Sequence, residues 1–470
     1  PRSQGEESKT SADSLVVRKA TDNFDRSKMP TAGANKAVAV PQMWQQTLAN
    51  GIKVLGTQSI ETPTTTLLLK IPAGHYYSDK EKAGVVSLLA SMLNESTTKR
   101  SAEDMSNELQ KLGSSVSIYA GTQYLNVNVS TLTKNLDATM ALVNEKLMEP
   151  AFIETEFARN KSNAIQGVIN NKKDAGYLAS TAYRQLLQAD NIAATSSQGS
   201  EESINNVSLS DVKAFYQQQV KPVNSQLIVV SDLKEKALVK SLKVFTTWQG
   251  QGQTLALTLA KSESKAGVIY LVNKDSAAQS AIRIGKRSIT QDITGEYYKS
   301  YLMNFPLGGA FNSRINLNLR EDKGYTYGAR SGFRADKFSG AFTASAEVRA
   351  DVTDKSIIEF VNEIKSYKEN GITTEELNFM RNAINQKDAL KYETPRAKLG
   401  FLAQILEHDL TPNFVKERAE IVETISADEI NALAKKHLSL TDMVMVVVGD
   451  AKTLKPQLEA LGYEVVDYKI

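Results

Sequence analysis

Arg320 and Tyr327 stand seven residues apart in the stretch LREDKGYTYGARS, residues 319–331, on either side of a Lys-Gly turn. A guanidinium and a phenol brought to one point would polarise a carbonyl group, or hold the oxyanion that forms on it. That is half of an active site, and the other half is hard to find. The chain has no cysteine, which removes thiol catalysis, thiolate zinc sites and disulfides. It has neither a G-x-S-x-G elbow nor a Walker phosphate loop. None of the three histidines, His75, His408 and His437, has a second histidine at helical spacing, so no helix face carries a histidine ligand pair. They read as surface or helix-end side chains. PLGGAFNSR, residues 306–314, places two glycines before a helix start but lacks the Lys-Ser/Thr of phosphate transfer. It reads as a helix entry beside a crowded surface.

The elements around the pair must aim it. Phe311, Ile315 and Leu319 recur at a spacing of four, which favours a helix; the alternation Ile315, Leu317, Leu319 keeps a strand open. Gly324 is a natural helix stop. YTYGARSGF then begins a strand, with Tyr325 and Tyr327 on one face and Thr326 on the other. The competing reading pairs Arg320 with Glu321 and leaves Tyr327 half-buried in a sheet.

A chain of 470 residues is too long for one core and suggests two to four domains. Its 41% apolar and 23% charged residues are those of a globular protein. The net charge of +3 is spread along the chain with no basic stripe, which argues against nucleic acid as a partner. The apolar run MVMVVV is strand length, far short of a membrane span. Lack of cysteine fits cytosol and periplasm equally. The polar opening PRSQGEESKTSADS starts on Pro1 and has no apolar signal core, which suggests a piece of something longer.

One unit is written twice. LVNEKL at 142–147 returns as FVNEIK at 360–365, SLSD at 208–211 as SADE at 426–429, and LIVVSDLK at 227–234 as MVVVGDAK at 445–452. All three pairs share an offset of 218 residues (360 − 142, 426 − 208, 445 − 227). Each copy opens with a hairpin strand, LANGIKVLGTQS in the first, where Asn50-Gly51 is a tight-turn dipeptide. A second strand, an apolar helix, an alternating strand and a long helix follow. The last helix before the closing strand is capped by Ser208 or Ser426; Ser426 with Glu429 makes a capping box and Asp211 a shorter version. The expected fold is α+β: two tandem homologous domains, 43–250 and 265–470, each a mainly antiparallel sheet with helices on one face. An extension (1–42) and a linker (251–264) complete the chain.

The duplication, the order of elements and the motif together resemble the pitrilysin/insulinase family of zinc metallopeptidases. LANGIKVLGTQS, LGGAFNSR and LREDKGYTYGARS look like its signatures, and the resemblance covers 43–470. In that family each half is two such domains, and two halves close like a clamshell on a peptide. Catalytic halves carry H-x-x-E-H on the first helix. Here the resemblance puts Ser87 and Ser91 at the two histidines, Ala90 at the glutamate, and Gln166 near the third ligand. Serine and alanine cannot hold zinc in water, and an uncharged glutamine is a poor ligand for it. The resemblance therefore implies a non-catalytic half with no cofactor of its own. It would close the peptide chamber and lend Arg320 and Tyr327 to a partner half that holds the zinc and shares the peptide substrate. That partner is expected upstream in the same polypeptide, or as a separate subunit. The alternative is a structural core or peptide-binding, chaperone-like subunit with no part in cleavage.

Overall fold

Alternating strands such as LNVNVSTL bury every second side chain, whereas QLIVVS and VMVVVG are apolar along almost their whole length. The first kind belongs beside a sheet edge and the second at a centre covered on both faces. The computed structural model describes residues 25, 27–28, 39–255, 257, 265–388 and 391–470. The chain divides into two units, Pro1–Ala37 and Val38–Ile470, and every element named below lies in the second. Most of the expected extension and linker, namely 1–24, 26, 29–38, 256 and 258–264, lies outside the described residues.

The fold is α+β with two six-stranded mixed sheets. The first holds β1 (Met43–Thr47), β2 (Lys53–Gln58), β3 (Thr64–Ile71), β4 (Ser115–Ala120), β5 (Leu125–Leu132) and β6 (Gln226–Ser231), in the order β1-β2-β6-β3-β5-β4. The second holds β7 (Val268–Asn273), β8 (Gln279–Ser288), β9 (Thr326–Ala335), β10 (Gly340–Arg349), β11 (Val444–Gly449) and β12 (Glu464–Asp467), in the order β12-β7-β11-β8-β10-β9. Five neighbouring strands follow the same order in both, and the edges differ. β1 forms an antiparallel hairpin on β2, while β12, from the chain's end, runs parallel to β7. The other parallel pairs are β2–β6 and β7–β11. The β1–β2 turn is the expected one: Gly51 takes φ +90°, and the Asn50 amide donates to the Phe245 and Trp248 carbonyls.

One face of each sheet carries its own helices, including Val85–Asn94 and Leu136–Met148 on the first and Glu296–Asn304 and Thr353–Asn370 on the second. Capping boxes start the helices Leu209–Gln219 and Ala427–His437; Asp211 closes its box as fully as Glu429 does. The other face is covered by exchange, which the sequence did not announce. Helix Ala175–Gln188, between β5 and β6, lays Ala179, Ala182, Tyr183 and Leu186 on Val268, Tyr270, Val444 and Val446 of the second sheet. Helix Pro395–Glu407, between β10 and β11, lays Leu399 and Leu402 on Leu55, Ile228 and Val230 of the first. Tyr183 Oη donates to the Phe342 carbonyl at 2.6 Å, and Lys70 Nζ meets Glu407 at 2.6 Å.

His75 and His437, read as surface or helix-end side chains, are both buried, 2% and 5% exposed, and His437 does end its helix, Ala427–His437. His437 Nε2 lies 2.8 Å from Glu296. His75 Nε2 faces the Ile192 carbonyl at 3.2 Å and the Thr195 hydroxyl at 3.1 Å, and its Nδ1 is enclosed without a partner. Burial holds this imidazole neutral, with its pKa lowered from 6.5 to about 4.

Two tests follow from this packing. Leu402→Ala should cost about 2–5 kcal/mol as a cavity between the exchanged helix and the first sheet. Urea unfolding should show the loss as one shifted transition for both sheets; two separate transitions with only one moved would contradict mutual support. The second test is pH. His75 is neutral when folded and takes a proton more readily when unfolded, so the unfolded chain binds more protons between pH 6.5 and 4. Stability is then full above pH 6.5 and falls as pH drops toward 4, by on the order of 3 kcal/mol at the lower end. His75→Gln should flatten that part of the stability–pH curve, and parallel curves for the two proteins would exclude the assignment.

Candidate functional site

The chain from Phe305 to Ala335 is where regular structure gives way. Phe305–Gly309 is a π-helical turn, Arg314–Asn316 one α turn, and Leu317–Asp322 a second π-helical stretch. The helix reading therefore holds over the strand reading for 314–322, with a widened pitch, while 311–313 is a turn. Gly308 packs hard on β9: a Cβ there would lie 2.2 Å from Ser331 Oγ and 2.4 Å from its backbone nitrogen. The helix entry is pinned by Arg314, which stacks on the Tyr367 ring at 4.7 Å and forks onto Glu376 through Nε (2.5 Å) and Nη2 (2.6 Å). Gly324 ends the segment at φ +63°, and the Arg349 guanidinium holds its carbonyl at 2.9 Å.

Strand β9 does not keep its alternation. Ala346 pairs with Ala329 and Val348 with Thr326, so two β9 residues, Tyr327 and Gly328, face the single residue Glu347. This bulge breaks the expected sharing of one face by Tyr325 and Tyr327. Tyr325 packs on the second core, whereas Tyr327 is 94% exposed. Ala329 N donates to Asn316 Oδ1 at 3.0 Å, and the Asn304 amide donates to the Ser331 carbonyl at 2.9 Å, so side chains seal the outer edge of β9 beyond the bulge.

Tyr327 stands on a cleft of about 610 Å³ lined also by Phe311, Asn316, Arg283, Arg330 and Glu347. Arg320 does not line it. Its guanidinium stacks on the Phe311 ring at 4.5 Å, and Phe311 forms part of the wall. Nη1 lies 3.2 Å from Glu321 Oε1, an ion pair without hydrogen-bond geometry, and this enclosed nitrogen has no hydrogen-bond acceptor. So the Glu321 pairing occurs, the half-buried tyrosine does not, and Phe311, on which Arg320 stacks, lines the cleft together with Tyr327. The sequence pattern missed the other lining residues. Arg283, Arg330 and Glu347 come from three strands, and only the sheet register brings them together.

The positions that would hold a metal do not fit one. On helix Val85–Asn94, the Ser87 hydroxyl donates to the Ser197 carbonyl at 2.6 Å and the Ser91 hydroxyl to the Ser87 carbonyl at 3.1 Å. Ala90 is buried carbon, and Gln166 is exposed on helix Glu154–Asn171. Among the described residues, no three His, Asp or Glu side chains group as metal ligands.

Two family profiles match the chain: "Insulinase (Peptidase family M16)" over residues 53–196 and "Peptidase M16 inactive domain" over 206–384. A "Non-peptidase homolog" of Helicobacter pylori is 24% identical over 83% of this chain and 90% of its own length. An "Uncharacterized zinc protease" of Rickettsia felis is 21% identical over 86% of this chain and 97% of its own length. The crystal structure of a peptidase M16 inactive domain from Pseudomonas fluorescens superposes with a TM-score of 0.80 at 24% identity, covering 87% of this chain and 98% of that one. The fold, the serines and alanine at the metal positions, and these matches lead to one conclusion: the chain is an inactive member of the insulinase (peptidase M16) family.

Proposed function

We propose that this chain is the non-catalytic half of a zinc metallopeptidase, built from a duplicated domain, which closes a peptide chamber and presents Arg320 and Tyr327 to a zinc-bearing partner. The observation that carries this reading is Tyr327. A tyrosine that is 94% exposed, turned out of its strand by a bulge, contributes little to the core and is placed to meet something outside the chain. The enclosed, acceptor-less Nη1 of Arg320 supports it, because buried donors are normally satisfied. A peptide carbonyl brought up by the partner would give Tyr327 an acceptor, and Arg320, which stacks on Phe311 rather than lining the cleft, would reach it only by turning. The partner is either a separate subunit or an upstream part of the same polypeptide.

A second reading keeps the fold and drops the chemistry. Arg320, stacked on Phe311 and beside Glu321, would then be scaffold, and the chain a structural or peptide-binding subunit.

In the assembled peptidase, Tyr327→Phe or Arg320→Ala should lower turnover by about 10²–10³, the usual effect of removing one oxyanion donor, with a smaller change in KM. For Tyr327→Phe the melting temperature should stay close to that of the parent, since exposed positions away from caps and core typically cost within about 0.5 kcal/mol; Arg320→Ala gives up the stacking on Phe311 and the Glu321 pair, so a modest loss of stability is expected there. Normal turnover in both variants would favour the scaffold reading. The chain alone, after dialysis against a chelator, should retain no stoichiometric zinc on elemental analysis and cleave no peptide library; one equivalent of zinc lost on Ser87→Ala would reverse the assignment.

A further inference from the structure

The cleft carries charges that the Arg320–Tyr327 pair does not use. Ser345 on β10 pairs with Arg283 on β8 and with Arg330 on β9, so the three residues form one row across the sheet. Neighbouring strands are about 4.8 Å apart, which puts the two arginine Cα atoms roughly 10 Å apart with a small serine between them. Both arginines line the same cleft as Tyr327. Neither forms a salt bridge among the described residues. Arg283 is anchored by weaker contacts, from Nη1 to the Ile282 carbonyl at 2.9 Å and from Nη2 to the Gly176 carbonyl and the Ser180 hydroxyl, each at 3.3 Å. Arg330 is exposed.

We propose that this row is a carboxylate-recognition subsite, which selects peptides carrying an acidic side chain or a free C-terminus beside the carbonyl-binding pair. This rests on the reading that the cleft receives peptide. Two guanidinium forks separated by a serine leave a gap open above the sheet, and planar forks match a carboxylate far better than ammonium groups would. Glu347 lies two residues along β10 from Ser345, on the same face and opposite the bulge at Tyr327. It offsets one of the two positive charges. Its carboxylate lies beside Gly176 and near Arg283, so it competes there and leaves Arg330 the more open of the two guanidinium groups. Asp174, at the start of the exchanged helix, adds a more distant negative charge on the Arg283 side. Burial of Arg283 strengthens its demand for a partner.

The test uses the full chain and three fluorescein-labelled, ten-residue Ala/Ser/Gly peptides read by anisotropy. One has a central Glu and an amidated C-terminus, the second has Gln in its place, and the third has Gln with a free C-terminus. At low salt, at least one carboxylate peptide should bind about fivefold tighter than the amidated Gln peptide, the upper range for a partly exposed ion pair. Which of the two is preferred tells side chain from terminus. The preference should shrink at 0.5 M salt and vanish in Arg330→Gln and in Arg283→Gln, while affinity for the neutral peptide holds. Arg330→Gln breaks no side-chain contact, so its melting temperature should match the parent's. Equal binding of all three peptides, binding of none, or a preference that survives both substitutions would overturn the proposal. The Tyr327→Phe chain should keep the charge preference, so failure here and failure of the donor role are separate outcomes.

Discussion

Each sheet has an apolar second face that its own half of the chain cannot cover. β6 and β11 are buried at every position, and their outward-facing residues, Ile228 and Val230 in one and Val444, Val446 and Val448 in the other, would meet water in an isolated half. Leaving a Val or Ile side chain exposed forgoes roughly 1.5–3 kcal/mol. The reciprocal helices remove that exposure on both sides at once. The contact is close enough to constrain sequence at particular points. A Cβ on Gly285 would lie 2.2 Å from Tyr183 Oη and 2.0 Å from the Phe342 carbonyl oxygen, so β8 carries glycine where the exchanged tyrosine reaches that carbonyl.

That reciprocal cover makes a rigid platform, and irregularity is concentrated at one end of it. Two π-helical stretches, a left-handed glycine and a bulge fall within residues 305–347. Such features weaken regular hydrogen bonding and persist where something else over-determines them. Here the surroundings do so. The Asn304 and Asn316 amides on β9 and the Arg349 guanidinium on the Gly324 carbonyl satisfy backbone groups there, and the Arg314–Glu376 fork fixes the short helical turn through side chains alone. These polar groups serve geometry: they hold the bulge that turns Tyr327 outward.

What could be read from the sequence was local or repeated. The capping serines, the Asn50-Gly51 turn and the Gly324 stop follow from residue chemistry within a few positions, and the succession of strands and helices from segments repeated at a constant offset. What could not be read depended on pairing across the chain. The bulge is set by how β9 meets β10, so strict alternation misplaced Tyr327 relative to Tyr325. The arginine row needs the register of three strands. The exchanged helices have ordinary amphipathic patterns, which do not say whose sheet they will cover. His75 gave no sign of burial because its shielding comes from the turn at 192–195, more than a hundred residues away.

The two ends of the chemistry have parted ways within one chain. At the first helix, the side chains that would face a metal have been absorbed into the fold: the Ser87 and Ser91 hydroxyls are spent on backbone carbonyls and Ala90 on core packing. Nothing there remains unsatisfied, so a metal would have to break existing hydrogen bonds to find a ligand. At the cleft the balance is opposite. An exposed phenol and two arginines that form no salt bridge among the described residues remain open to a ligand. A fold free to drift toward stability would pair or bury such groups, as it has done around Ser87. Their persistence at one end of a rigid platform supports a ligand that supplies the missing acceptors, and a peptide, with its carbonyls and carboxylates, has the matching chemistry.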